Sequence, residues 1–164
     1  MTDVRLRVPA AAVAIVAALV AAFAGCGGTT PAPTTTAVEG ATVDAGRYLA
    51  DAAAGAAAAR AFASQLATVG TPATAPALKA VAPRLEEPLA SARLVGQRLT
   101  AERLADRRLD EQRGRNAVAF GSVIAAMERV QAAAAAGDPS GARTGSLELS
   151  AAIGALRDAA SSTR

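Results

Sequence analysis

The chain holds one thiol, Cys26, and no histidine. Without imidazole it lacks the commonest general base and the commonest metal ligand. A lone cysteine closes no internal disulfide and cannot by itself build a thiolate metal site. The serines occur in no nucleophile-elbow context, and no glycine-rich phosphate loop is present. The remaining acids, Glu86, Glu87, Glu102, Asp106, Asp110 and Glu111, lie amid arginines. Carboxylate metal sites in helical bundles usually combine Glu with His. No catalytic residue, no metal site and no cofactor is therefore expected, and the residue types argue against an enzyme.

The chemistry left to Cys26 depends on what precedes it. Residues 1–7, MTDVRLR, carry Arg5 and Arg7, and residues 8–24 hold no charge. The apolar run 10–24 is 15 residues, about 22 Å as a helix. That is short of the roughly 30 Å hydrocarbon core of a bilayer, and it has the proportions of a secretory signal. The residues Phe23-Ala24-Gly25-Cys26 resemble the lipobox of bacterial lipoprotein precursors. Small side chains at Ala24 and Gly25 suit a narrow peptidase site. Phe23 stands where the family usually has Leu and keeps the position apolar. The resemblance covers residues 1–26, and with the Ala- and Arg-rich composition it points to actinobacterial lipoproteins. It implies a diacylglycerol thioether on Cys26, cleavage between Gly25 and Cys26, and often a further acyl chain, such as palmitate, on the new amino terminus. The implied location is the extracytoplasmic face of the cell membrane. Each buried CH₂ contributes about 0.8 kcal/mol, so two or three chains hold a protein stably where one binds reversibly.

After Cys26 the segment 27–42, GGTTPAPTTTAVEGAT, has no periodicity and the Gly, Thr and Pro content of a linker. The expected organisation is a signal peptide at 1–25, a lipidated cysteine and tether at 26–43, and a helical domain at 44–164.

Within that domain the most polar stretch is 98–115, RLTAERLADRRLDEQRGR, with six Arg and four acids. Arg98, Arg103, Arg107, Arg108, Arg113 and Arg115 form a candidate docking face for acidic headgroups, cell-wall polymer or a protein. The competing reading is internal pairing on a solvated helix. Arg98–Glu102, Arg107–Glu111 and Glu111–Arg115 are four apart, and Arg103–Asp106 and Asp110–Arg113 are three apart, each pair worth about 0.2–0.5 kcal/mol. Nucleic acid is not an expected partner. The net charge is only +3, and no aromatic residues interleave with the arginines for stacking.

The elements that carry these residues should be helices. Forty-eight residues are alanine, the best intrinsic helix former. Tyr48, Ala52, Gly55, Ala59, Phe62, Leu66 and Val69 repeat at 4, 3 spacing, the stripe of a helix in a left-handed bundle. Gly55 in that stripe suggests a close helix contact. Gly70-Thr71-Pro72 should end the helix, and the prolines at 72, 76, 83 and 88 predict a kinked or broken connection over 72–88. A heptad register nonetheless runs through Leu78, Val81, Leu85, Ala92, Val95 and Leu99. It then meets Glu102, Asp106, Leu109, Arg113 and Asn116 before Phe120, Val123, Met127, Val130 and Ala134. Either one long helix leaves the core in its middle, or two helices join near 111–115 at Gly114. The second is favoured because it makes a compact domain. Gly137, Asp138 and Pro139 read as a helix stop, a cap and a new start. The expected fold is all-α: an up-down antiparallel bundle of about four helices, at 44–69, 75–111, 115–136 and 139–160. Two non-enzymatic functions fit. One is a membrane-anchored docking module for a protein partner. The other is a carrier or sensor of an apolar ligand held between alanine-rich helices.

Overall fold

The computed structural model describes residues 42–161. The signal segment, Gly25, Cys26 and the tether up to residue 41 lie outside the described residues. Four helices account for nearly everything else: α1 (Ala45–Ala67), α2 (Ala75–Ala101), α3 (Arg107–Ala136) and α4 (Pro139–Ser161). Two short strands, β1 (Thr42–Val43) and β2 (Arg103–Leu104), pair in parallel, Thr42 opposite Arg103 and Val43 opposite Leu104. The fold is an all-α bundle, as the periodicity predicts. Two-residue strands are too short for alternation to announce them, and they place the last residues of the expected tether in the domain itself.

Helix ends follow local chemistry. Asp44 caps α1 by accepting the Arg47 backbone N–H at 2.7 Å, and Thr74 caps α2. Asp106 caps α3 through the Leu109 N–H at 2.9 Å. Each cap supplies an acceptor for an N–H that the helix cannot satisfy. Gly137 adopts the left-handed conformation, φ 69°, and the Gly137 and Asp138 N–H groups bond back to Ala134 and Ala133. That closes α3 as a glycine stop should.

Two boundaries differ from the sequence reading. First, α2 runs unbroken through Pro83 and Pro88. The carbonyls that these rings deprive of a donor belong to Lys79 and Arg84, both exposed, where water can serve them. The buried stripe of Leu78, Val81, Ala82, Leu85, Leu89, Ala92, Val95 and Leu99 keeps the helix in place. Second, the chain turns at 102–106, not at 111–115. Gly114 sits inside α3. Asp106 is a better start signal than Gly114 is a stop, because it offers an N-cap side chain and leaves the helix-favouring run 107–136 whole.

The helices pack in chain order, α1 on α2, α2 on α3 and α3 on α4, while α1 and α4 share no comparable seam. Phe62, Leu78, Leu85, Val123, Met127 and Val130 are the largest wholly buried side chains. Alanine and glycine set the spacing between helices. A Cβ on Gly55 would come within 2.9 Å of the Phe120 ring and 3.2 Å of Val95, so α1 lies close against α2 and the Phe120 ring of α3 reaches in to it. A Cβ on Gly145 would reach Val130 at 2.9 Å, and one on Gly141 would reach Ala133 at 3.2 Å. The α3–α4 seam is thus a small-residue contact four positions apart. By length and composition α3 could cross a membrane. Here it is a core helix, burying one stripe between its neighbours.

Candidate functional site

The most polar part of the molecule lies at the end where Thr42 enters. The β1–β2 pairing brings the start of α1, the end of α2 and the start of α3 together there. Five polar residues are buried among the described residues: Asp51, Glu102, Gln112, Arg113 and Asn116. With Tyr48, four of them (Asp51, Glu102, Arg113 and Asn116) continue the hydrophobic stripe as hydrogen-bonded polar groups. Arg47 on α1 donates to Glu102 Oε1 at 3.1 Å, and Arg98 on α2 donates to Asp51 Oδ1 at 3.2 Å. The Asn116 amide donates to the Tyr48 hydroxyl at 2.8 Å, across α3 and α1. Arg113 donates to Asp110 Oδ1 at 2.7 Å and to the Leu99 carbonyl near the end of α2. Asp110 also accepts the Leu104 N–H at 2.9 Å, which fixes β2 onto α3. Three helices and one strand are therefore cross-linked by charge-assisted bonds, which are about twice as strong as neutral ones.

The electrostatics follow from this wiring. Burial pushes the Asp110 carboxyl up, but the Arg113 hydrogen bond, the Leu104 N–H and the charges of Arg113 and Arg103 outweigh it and hold the carboxyl below its ordinary value. Burial pushes the Tyr48 phenol up, opposed by the Asn116 bond and the Arg113 charge. Asp51 Oδ2, Glu102 Oε2 and Asn116 Oδ1 are buried and accept no hydrogen bond.

The six arginines of the candidate face divide into groups. Arg113 is only 6% exposed at its side chain, which removes it from any docking surface. Its guanidinium is drawn inward by the Leu99 carbonyl and Asp110. Arg98 is half-exposed and bound to Asp51 rather than to Glu102. Arg103 folds back on the carbonyls of Thr100 and Glu102. Arg107 is 93% exposed and pairs with Glu111 at 3.1 Å, and Arg108 and Arg115 are exposed on α3. Two of the five expected local pairs are therefore formed, Arg107–Glu111 and Asp110–Arg113. Glu102 and Arg98 instead take partners on α1. Sequence spacing could not find these long-range bonds. A signal was present, however, because Glu102, Arg113 and Asn116 lie on the same heptad register as Leu99 and Phe120. Asp51 lies on α1, one position before Ala52 of that helix's own stripe, and carries no such signal.

Among the described residues no group of three or more His, Cys, Asp and Glu is placed to hold a metal ion. The network holds no nucleophile beside a base. What it can do is fix one end of the bundle rigidly while presenting arginines outward. Compared with protein-family models, with curated proteins and with solved structures, the chain matches none.

Proposed function

We propose that this chain is the precursor of a membrane lipoprotein. It is displayed on the extracytoplasmic face by a diacylglycerol thioether on Cys26, and its helical domain serves as a non-enzymatic docking module. The observation that carries this reading is the sequence Phe23-Ala24-Gly25-Cys26 behind Arg5, Arg7 and an uncharged apolar run. The absence of histidine from the chain supports a binding role over catalysis. The wiring at the entry end supports it too, since a docking surface benefits from side chains held before the partner arrives.

The second reading, a carrier of an apolar ligand between helices, has less support. The seams at Gly55–Phe120 and Gly145–Val130 are drawn close. Growth with a clickable fatty acid tests the anchor. The wild-type chain takes up label, and Cys26→Ala does not; equal labelling of both would refute the reading.

A further inference from the structure

Only Gly137 and Asp138 separate α3 from α4. We infer that this junction is a hinge, and that Gly137 decides whether α4 closes on its own α3 or on the α3 of a second copy of this chain. The inference does not depend on the anchor; it concerns the partner that the α3 face can take.

Two features of the packing make α4 exchangeable. Among the described residues α3 is the one helix against which α4 forms a seam. A departing α4 therefore breaks little that the α4 of a second copy would not restore. The pairs along the seam, Val130 with Gly145, Ala133 with Gly141 and Arg129 with Glu148, lie at similar distances in sequence on either side of the junction. If the junction straightens, α3 and α4 become one helix over 107–161. Two such helices laid antiparallel form the same pairs between chains. The exchanged pair is two-fold symmetric about the junction, and so closed.

The local chemistry sits between the two arrangements. Gly137 and Asp138 donate their N–H groups to the Ala134 and Ala133 carbonyls. A continuous helix would return both to the same two carbonyls with the partners interchanged. Pro139 would leave the Ala135 carbonyl without a donor. Ala135 is exposed, as are Lys79 and Arg84, whose carbonyls Pro83 and Pro88 leave open in the unbroken α2. The run 132–136 ahead of the junction is all alanine, which favours continuing the helix. Two groups hold the folded-back form. Asp138 accepts the Ser140 N–H at 3.0 Å and the Ser140 hydroxyl at 2.8 Å. Gly137 takes the left-handed φ of 69°, which a side chain would strain. A Cβ there would also stand 3.3 Å from the Ala75 carbonyl oxygen and 2.7 Å from Lys79 Cε. With glycine the closed hairpin wins, because α4 is held beside its own α3 at high effective concentration. Alanine at 137 penalises the hairpin and favours the straight helix.

The test uses the full chain carrying Arg129→Cys/Glu148→Cys, two positions that face each other across the seam. It is treated with a short bismaleimide and run on a denaturing gel. An acylated Cys26 has no free thiol to compete, and Cys26→Ser removes the thiol from an unmodified chain. With the native junction the linker should close within one chain, and the protein should run as a monomer. With Gly137→Ala/Pro139→Ala added, most of the protein should run as a dimer, its helical circular dichroism unchanged. A Gly-Gly insertion after Gly137 should keep the monomer band, since a longer connection favours closure on the same chain. Arg129→Cys alone should give no dimer with either junction, because the two copies of position 129 lie far apart in the exchanged pair. A Gly137→Ala/Pro139→Ala chain that stays monomeric, loses its helices, or gives as much dimer with Arg129→Cys alone would overturn the proposal.

Discussion

Arg113 shows what a single side chain does in this fold. It lies where a hydrophobic residue would continue the α3 stripe, and it is kept there by Asp110 and the Leu99 carbonyl. Removing one member of a buried pair strands the other, at a cost of about 3–5 kcal/mol when both are fully buried. Asp110 is about a quarter exposed, so Arg113→Ala should cost about 2–3 kcal/mol, read from urea unfolding. The same pair sets a pH dependence. The Asp110 carboxyl is held below its unfolded value, so its contribution is complete above about pH 4 and fades as the pH falls through the lower folded value. Asp138, held down by the Gly141 N–H and then by the Ser140 hydroxyl, acts in the same direction. Melting temperature should therefore fall on acidification below about pH 4. The fall should be shallower in Arg113→Ala, and an unchanged slope would remove Asp110 from the account. These residues were only partly legible in the sequence. The register ran visibly through Arg113 and Asn116, but burial of a charge depends on partners on other helices, and spacing along one helix does not report them.

Helix by helix, glycine gives the sharpest test, because two glycines inside helices have opposite roles. Gly55 faces Phe120 and Val95 with no room for a larger side chain, whereas nothing lies within 4 Å of a Cβ built on Gly114. Gly55→Val should destabilise by about 1–3 kcal/mol through overpacking. Gly114→Ala should stabilise by about 0.5–1 kcal/mol, since it removes backbone freedom from the unfolded chain in a helical site. If Gly114 instead formed the turn that its sequence suggests, Ala there would destabilise, so the sign of the change locates the α2–α3 boundary. The elements themselves were largely readable. The 4, 3 spacing found all four helices, and Gly137, Asp138 and Pro139 fixed the last connection. The sequence reading places the α2–α3 boundary at Gly114, the one breaker in a helix-favouring run, whereas the capping bond from Asp106 to the Leu109 N–H sets the start of α3. The prolines misled over 72–88 because their local cost is met by a buried stripe that runs the length of α2.

For the whole molecule, the serial packing of the helices makes α3 the centre. It touches α2 on one side and α4 on the other, and Val123, Ala126, Met127 and Val130 have no exposed surface. The outer helices each rely chiefly on one neighbour. Native-state hydrogen exchange should therefore find the slowest amides in the middle of α3, with α4 and the second half of α1 opening at lower free energy. Uniform protection across the four helices would contradict serial packing. The domain has two unlike ends, one wired by buried polar groups where the chain enters, the other closed by the uncharged connection 68–74 and by Gly137 and Asp138, with the Lys79 side chain against Gly137. The central proposal is that a lipid on Cys26 holds the domain at a membrane. The direct measurement is the intact mass and amino-terminal sequence of the protein taken from cell membranes. The account predicts loss of residues 1–25 and a first residue, Cys26, carrying diacylglycerol and fatty acyl mass. A chain that keeps Met1, or one recovered from the cytosol with an unmodified thiol, would contradict it.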